Sequence, residues 1–399
     1  MKSMKQALLL ITFILGSGVL LQAALNRMSS PTLTLKDQSD SGQQVYWGII
    51  GLGETDTANW YYLSSTTKTM TICYAGQNLS SIFQPLSGTT TIKLPATSSG
   101  RVYFSLGKPL SSSPFGSSAN IVLPNFIGTD PNTGIIYDKV EFTYKPKLPM
   151  GFVNTTLVDY MSIPFGVTLT GRQKGVQNAG ILTAKRDVVM AQMAALSSQY
   201  SALVVTGSAY ANTKYIRVVS PIAPSANYVA NGAGLKFDAQ KYYGSYIQKI
   251  WKLYTKQIWN MDLTAAYGIT LTGKVVGTNF VFTDSNSNTY TIRYPSGFDL
   301  LGCTGVFVPS GSGIQQQING IVKRDVAAAM NRAVAQVNGS KCDAVRYVSS
   351  PYNEYAKVIH ANSLNGLNYA FPYDDVCDGS SGMGDTKPTN VTITLLPWN

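Results

Sequence analysis

The chain has 399 residues, of which 44% are hydrophobic and 11% aromatic, enough for one large domain or two ordinary ones and too apolar for disorder. Charged residues make up only 13%, against about a quarter in an average soluble protein, so solubility rests on Ser, Thr, Asn, Gln and Tyr, as in exported β-rich proteins. The net charge of +11 reflects a scarcity of acids; the basic residues are scattered without a nucleic-acid signature, and no nucleic-acid partner is expected.

Lys2 and Lys5 precede an apolar run from Ala7 to Leu21, and the small residues Ala23 and Ala24 follow. Residues 1–24 therefore read as a secretory signal peptide, with an uncleaved anchor as the alternative. A secreted protein with no stable membrane association after cleavage is expected. Residues 25–43 form a polar lead-in. From 44 to 175 short β-like runs such as "QVYWGIIGL", "RVYFSLG", "VEFTY" and "FGVTLTG" are separated by Gly, Ser, Pro and Asn turns. This spacing predicts a sandwich or barrel.

The pattern changes after residue 175. Helices are predicted at 181–199, 237–255 and 314–337, with a buried strand at "SALVVTGS" and a β excursion near 267–295. Residues 176–390 thus read as a mixed α/β domain, and "VTITLLPW" at 391–398 as a last strand that completes the first domain. "KRDV" occurs at 185–188 and again at 323–326, and reads as a charged helix face in each case.

Four cysteines, Cys73, Cys303, Cys342 and Cys377, allow two disulfides in an oxidising compartment. Cys303–Cys342 is the favoured pair, because both lie in the second domain. No CxxC occurs and His360 is the only histidine, so neither a metal site nor a cofactor is expected. The Walker, dinucleotide, HExxH and GxSxG motifs are all missing.

Acids deserve more weight in a chain with only three glutamates, Glu54, Glu141 and Glu354. In "VEFTY" the alternation puts Glu141 and Thr143 on one face of a strand and Val140, Phe142 and Tyr144 on the other. A carboxylate there must be solvated in a cleft, paired, or costly to bury. Asp159 follows in "NTTLVDYMSIPF", behind Thr155 and Thr156, whose hydroxyls could hold a charged carboxylate. Two carboxylates beside a cleft are the usual means of cleaving a glycosidic bond: one protonates the leaving oxygen, and the other activates water or attacks the sugar. The alternatives are a salt bridge from Glu141 to Lys139 or Lys145, and Asp159 as a turn cap.

"VEFTY", "NTTLVDYMSIPFGVTL" and "KVIHANSLNGLNYAFPYDDV" resemble the signature blocks of glycoside hydrolase family 64, the laminaripentaose-producing type of β-1,3-glucanase. The resemblance covers most of 44–399, and "YAFPYDDV" is its most specific block. It implies a thaumatin-like β-sandwich or barrel domain and a mixed α/β domain, together walling a wide groove. It also implies inverting hydrolysis of linear β-1,3-glucan to short oligosaccharides. A monomer is expected. Carried over by motif, Glu141 resembles the general acid and Asp159 the general base. Thr143 and Thr156 fall where sugar hydroxyls are contacted, and Phe152 lies near a position that can carry a tryptophan. Asp374 and Asp375 either bind sugar at the cleft floor or fix the return of the last strand. His360 reads as a structural histidine. The competing reading is a non-catalytic thaumatin-like glucan binder.

Overall fold

The structure is a computed structural model that describes residues 30–74, 77–111, 123–124, 130–146, 150–181, 185–207, 213–222, 237–336 and 346–398. The leader at 1–24 and Cys342 lie outside them. The first half of the chain supplies β1 (Thr32–Asp37), β2 (Val45–Leu52), β3 (Trp60–Leu63), β4 (Met70–Ile72), β5 (Gln84–Pro85), β6 (Thr89–Lys93) and β7 (Thr97–Leu106). β8 (Tyr137–Lys145), β9 (Met150–Thr155), β10 (Tyr160–Met161), β11 (Phe165–Gly171) and β12 (Gly175–Gly180) follow. After them come β13 (Val204–Thr206), β14 (Tyr215–Val219), β15 (Trp259–Leu263), β16 (Ile269–Val276), β17 (Asn279–Asp284), β18 (Thr289–Arg293), β19 (Met383–Asp385) and β20 (Pro388–Leu395).

Two sheets form the first core. One has five strands in the order β12-β11-β20-β1-β6; the other has eight, running β19-β9-β8-β7-β2-β3-β4 with β5 against β2. Alternation explains their packing: Leu33, Leu35, Val102, Phe104, Val140, Phe142, Val167 and Ile393 are all buried in one cluster. The "lead-in" is therefore corrected in part. "TLTLKD" is β1, paired in parallel with β20 and antiparallel with β6. The last strand spans Pro388–Leu395, and it lies inside the five-stranded sheet.

The second core joins the four-stranded sheet β15-β16-β17-β18 to four longer helices: α1 (Arg186–Ala194), α2 (Ala239–Tyr254), α3 (Gly313–Asn331) and α4 (Glu354–Ala361). In α2, Asp238 caps the Lys241 amide, and Tyr243, Tyr246, Ile247, Ile250 and Tyr254 form the buried stripe expected of period 3.6. Between the cores lies the small sheet β10-β14-β13. Its Tyr160, Val205, Ile216 and Val219 belong to the first core, whereas Met161, Tyr215 and Val218 belong to the second. Period-two alternation lets one thin sheet serve both sides.

The two "KRDV" segments are charged faces only in part, since each buries some of its charges. Arg186 is fully buried; its Nε donates to the Ser162 carbonyl at 2.6 Å and its guanidinium covers the Trp398 ring at 4.3 Å. Lys323 and Asp325 are buried as well. Arginine tolerates such sites because a fixed fork of donors can satisfy several carbonyls at once. The favoured disulfide is also corrected: Cys303 and Cys73 are free and buried, whereas Cys377 is disulfide-bonded.

Candidate active site

Glu141 sits in the middle of β8, directly opposite Arg101 on β7 and Asn154 on β9. Its face carries Lys139, Glu141 and Thr143 from β8, Arg101 and Tyr103 from β7, and Phe152 and Asn154 from β9. Gly100 helps to set that register. A Cβ there would come within 2.7 Å of the Phe142 ring, so a side chain would push β7 and β8 apart beside Arg101.

Glu141 does not pair with either lysine suggested by its sequence neighbourhood. Arg101 Nε stands 3.5 Å from its Oε1, and the Glu141 side chain remains 22% exposed. Arg101 in turn covers Trp60 at 5.5 Å from the ring centroid. An aromatic ring, a guanidinium and a carboxylate thus follow one another across the sheet.

Asp159 occupies a bend just before β10, where its backbone carbonyl accepts from the Ser220 amide at 2.9 Å. Its carboxylate binds Lys139 Nζ at 2.9 Å. The lysine is only 7% exposed and lies 5.0 Å from the centroid of Tyr160. The Lys139 ammonium holds the Asp159 carboxyl below the usual carboxylate range; enclosure by protein opposes this, and Arg101 adds to it. The Asp159 side chain itself is 53% exposed, so the carboxylate lies in an open recess that water can reach. For Lys139, burial acts downward, but Asp159, Tyr103 and Glu141 together raise it, so the ammonium stays charged.

The threonines do not hold Asp159. Thr155 Oγ1 donates toward Ser381 Oγ at 2.8 Å or Asn368 Oδ1 at 3.1 Å. Thr156 is 6% exposed, and its backbone forms a parallel bridge with Tyr369. Thr143 is half-buried and its hydroxyl oxygen accepts from the Ser99 amide at 3.3 Å. Phe152, opposite Thr143, is 39% exposed on the same face.

The block "YAFPYDDV" lies behind the site. Asp374 is fully buried, so its place among sugar-binding candidates is corrected. It accepts from Arg332 at 2.9 Å and the Ala370 amide at 2.8 Å, and it lies 2.8 Å from His360 Nε2. Burial pushes Asp374 up, but His360, Arg332 and the Ala370 amide more than offset this and hold it below the ordinary range. His360 Nδ1 lies 2.7 Å from the Gly366 carbonyl, which completes a structural histidine. Next to it Tyr369 bridges Thr156, and its carbonyl accepts from the Leu157 amide at 2.8 Å. Asp374 thus helps to anchor the segment that leads to Asp159. Asp375 is half-buried and pairs with Arg324 of α3 at 2.6 Å.

Sequence reasoning missed Arg101 and Asn154, and it assigned Lys139 to the wrong carboxylate. Lys139 shares a face with Glu141 by simple alternation, so its presence at the site was legible. Arg101 and Asn154 depend on cross-strand register. Among the described residues, no group of three or more His, Cys, Asp or Glu side chains is placed to hold a metal.

The chain as a whole is similar to known β-1,3-glucanases. A family model described as "Beta-1,3-glucanase" matches residues 30–395. A glucan endo-1,3-beta-glucosidase from Arthrobacter sp. is 27% identical over 324 residues, covering 77% of this chain and 54% of the relative. The chain thus spans about half the length of the curated relatives it matches. A laminaripentaose-producing β-1,3-glucanase crystallised with laminaritetraose superposes with a TM-score of 0.77 at 23% identity, covering 93% of this chain and 99% of that one. A β-1,3-glucanase domain from Clostridium beijerinckii gives 0.73 at 24% identity, covering 93% and 98%. These likenesses fix the fold, mainly β with several sheets and some helices. With the family model matching nearly the whole described chain, the protein belongs to the β-1,3-glucanases of glycoside hydrolase family 64.

Proposed function

We propose that this protein hydrolyses linear β-1,3-glucan to short oligosaccharides, with Glu141 as general acid and Asp159 as general base. The observation that carries the reading is the unequal setting of the two carboxylates around Lys139. Asp159 is bound to the ammonium and kept ionised, as a base for water must be, and its recess is open to solvent. Glu141 stands two residues along the same face of β8, about 7 Å from Lys139 at ~3.4 Å per strand residue. The proposed mechanism is inversion, which needs about 6.5–9.5 Å between the carboxyls to admit a water, against about 5–5.5 Å for retention. Thr143, Phe152, Thr156 and Asp375 remain the proposed sugar contacts.

The fold reading that accompanies this is a thaumatin-like β unit at 44–175, completed by the C-terminal strand, and a mixed unit at 176–390. Secretion is part of the proposal, on the strength of the leader at 1–24. Among the described residues no helix is long and apolar enough to cross a membrane. A monomer is proposed too.

The test is direct. Glu141→Gln and Asp159→Asn should each lower kcat on linear β-1,3-glucan by about 10²–10⁴ with the fold intact. Proton NMR of the first turnover should show the α-anomer. An initial β-anomer would mean retention, and glucan binding without any reducing sugar would favour the non-catalytic reading.

A further inference from the structure

Asn154 faces Glu141 directly across the β8–β9 pairing, a separation of about 5 Å between Cβ atoms. It is 7% exposed, and its Oδ1 is buried without a hydrogen-bond partner. A buried amide oxygen with no donor destabilises the protein that carries it, so a site that keeps one calls for a reason. Replacing such a group by an apolar side chain of similar shape costs the free protein little.

The neighbours say what kind of donor fits. Phe152, exposed at 39%, is two residues away on the same face and offers an apolar ring. Thr143 stands opposite Phe152, and its oxygen already accepts from the Ser99 amide, which leaves its proton to donate. The patch beside Glu141 therefore offers hydrogen-bond donors from Thr143 and the Asn154 amide nitrogen, an acceptor in the Asn154 oxygen, and one aromatic surface. That is the complement of a pyranose ring, whose hydroxyls both give and take hydrogen bonds.

We infer that the Asn154 amide oxygen accepts a hydrogen bond from a hydroxyl of the glucosyl unit held beside Glu141. Asn154 is then a substrate-binding residue. Its orphaned oxygen is the free protein's cost for a contact made only with glucan in place. The inference rests on the reading of Glu141 as the acid, and its test separates the two.

Asn154→Leu removes the acceptor while keeping the shape. The variant should melt at the same temperature as the parent or higher, and its kcat/KM on a laminari-oligosaccharide should fall about tenfold or more. Oligosaccharides lacking single hydroxyls should identify the donor: one deoxy substrate should be poor for the parent, yet no worse for the variant than its full parent sugar. Asn154→Ala, measured alongside, guards against a packing fault specific to leucine. A lower melting temperature with unchanged kcat/KM would assign the oxygen to a structural water and overturn the inference. So would a moved basic limb of the pH–rate profile with unchanged deoxy discrimination, since the donor would then be the Glu141 carboxyl proton. Full activity in Glu141→Gln would sink the acid assignment itself. An inactive Glu141→Gln beside a wild-type-like Asn154→Leu would sink only the role of Asn154.

Discussion

Glu141 and Asp159, the proposed acid and base, sit in parts of the molecule that are held by different means. Glu141 lies within an uninterrupted ladder: β7 on one side, β9 on the other, and a packed layer of Val140 and Phe142 beneath. Asp159 lies on a bend at the seam between two cores. Its carbonyl is held by Ser220, its side chain by Lys139, and the segment before it by Tyr369 and by the Tyr355 hydroxyl, which donates to the Leu157 carbonyl at 2.7 Å. One carboxylate is thus placed by a continuous strand ladder, the other by isolated backbone bonds and side chains contributed from both cores. Changes in the second core should reach the base and leave the acid untouched.

The largest effect should come from Asp374→Ala. Removing one member of a buried, hydrogen-bonded charge cluster leaves Arg332 uncompensated and should cost about 3–5 kcal/mol in chemical denaturation. Because the folded state holds Asp374 below its unfolded value of about 3.9, its contribution is present above that pH and lost as pH falls through the lower folded value. Acid unfolding of the variant should lack this component. A loss under about 1 kcal/mol would mean that the block around Asp374 is not what anchors the base.

Lys139→Met should act mainly on Asp159, the carboxylate that the ammonium touches. Without the ammonium the pKa of Asp159 rises, so the base is protonated at higher pH and the acid limb of the pH–rate profile moves up. The move should be modest, because the half-exposed Asp159 carboxylate is partly screened by solvent. Lys139→Arg should restore the limb in part. An unmoved acid limb would break the distinction between acid and base drawn above.

The smallest effect concerns the cysteines. Denatured, unreduced protein should titrate two thiols, from Cys73 and Cys303, and four after reduction, with no change in the active-site face. Four free thiols before reduction would remove the covalent tie at Cys377, close behind Asp374.

What was legible in the sequence follows the same division. Alternation in "VEFTY" identified the face of Glu141, because a strand's two sides are set by period two alone. Helix periodicity placed α2 to within two residues at each end. The partners of Glu141 were not legible, since Arg101 reaches it through a register that shifts between Thr97 and Gly100. Nor was the burial of Arg186 or Asp374. A charge reads as solvated until the groups that satisfy it are seen, and here the carbonyls around Arg186 lie 24 to 30 residues away and the Arg332 partner of Asp374 lies 42 away. β1 looked like a polar tail because its threonines and lysine alternate with only two leucines.

The placement of β20 has a consequence for how the molecule is made. It runs between β1 and β11, bonded to both, and its Asn390 meets the Thr32 hydroxyl across 358 positions of sequence. During synthesis the strands on either side of that gap exist long before the strand that fills it, and each presents an open edge of unpaired amides and carbonyls. The centre of the sheet is therefore its last part to close. Such long-range closure slows folding relative to local pairing. A chain stopped short of residue 388 would keep two sticky edges in place of one sealed sheet, and a chaperone that shields strand edges would find its substrate there.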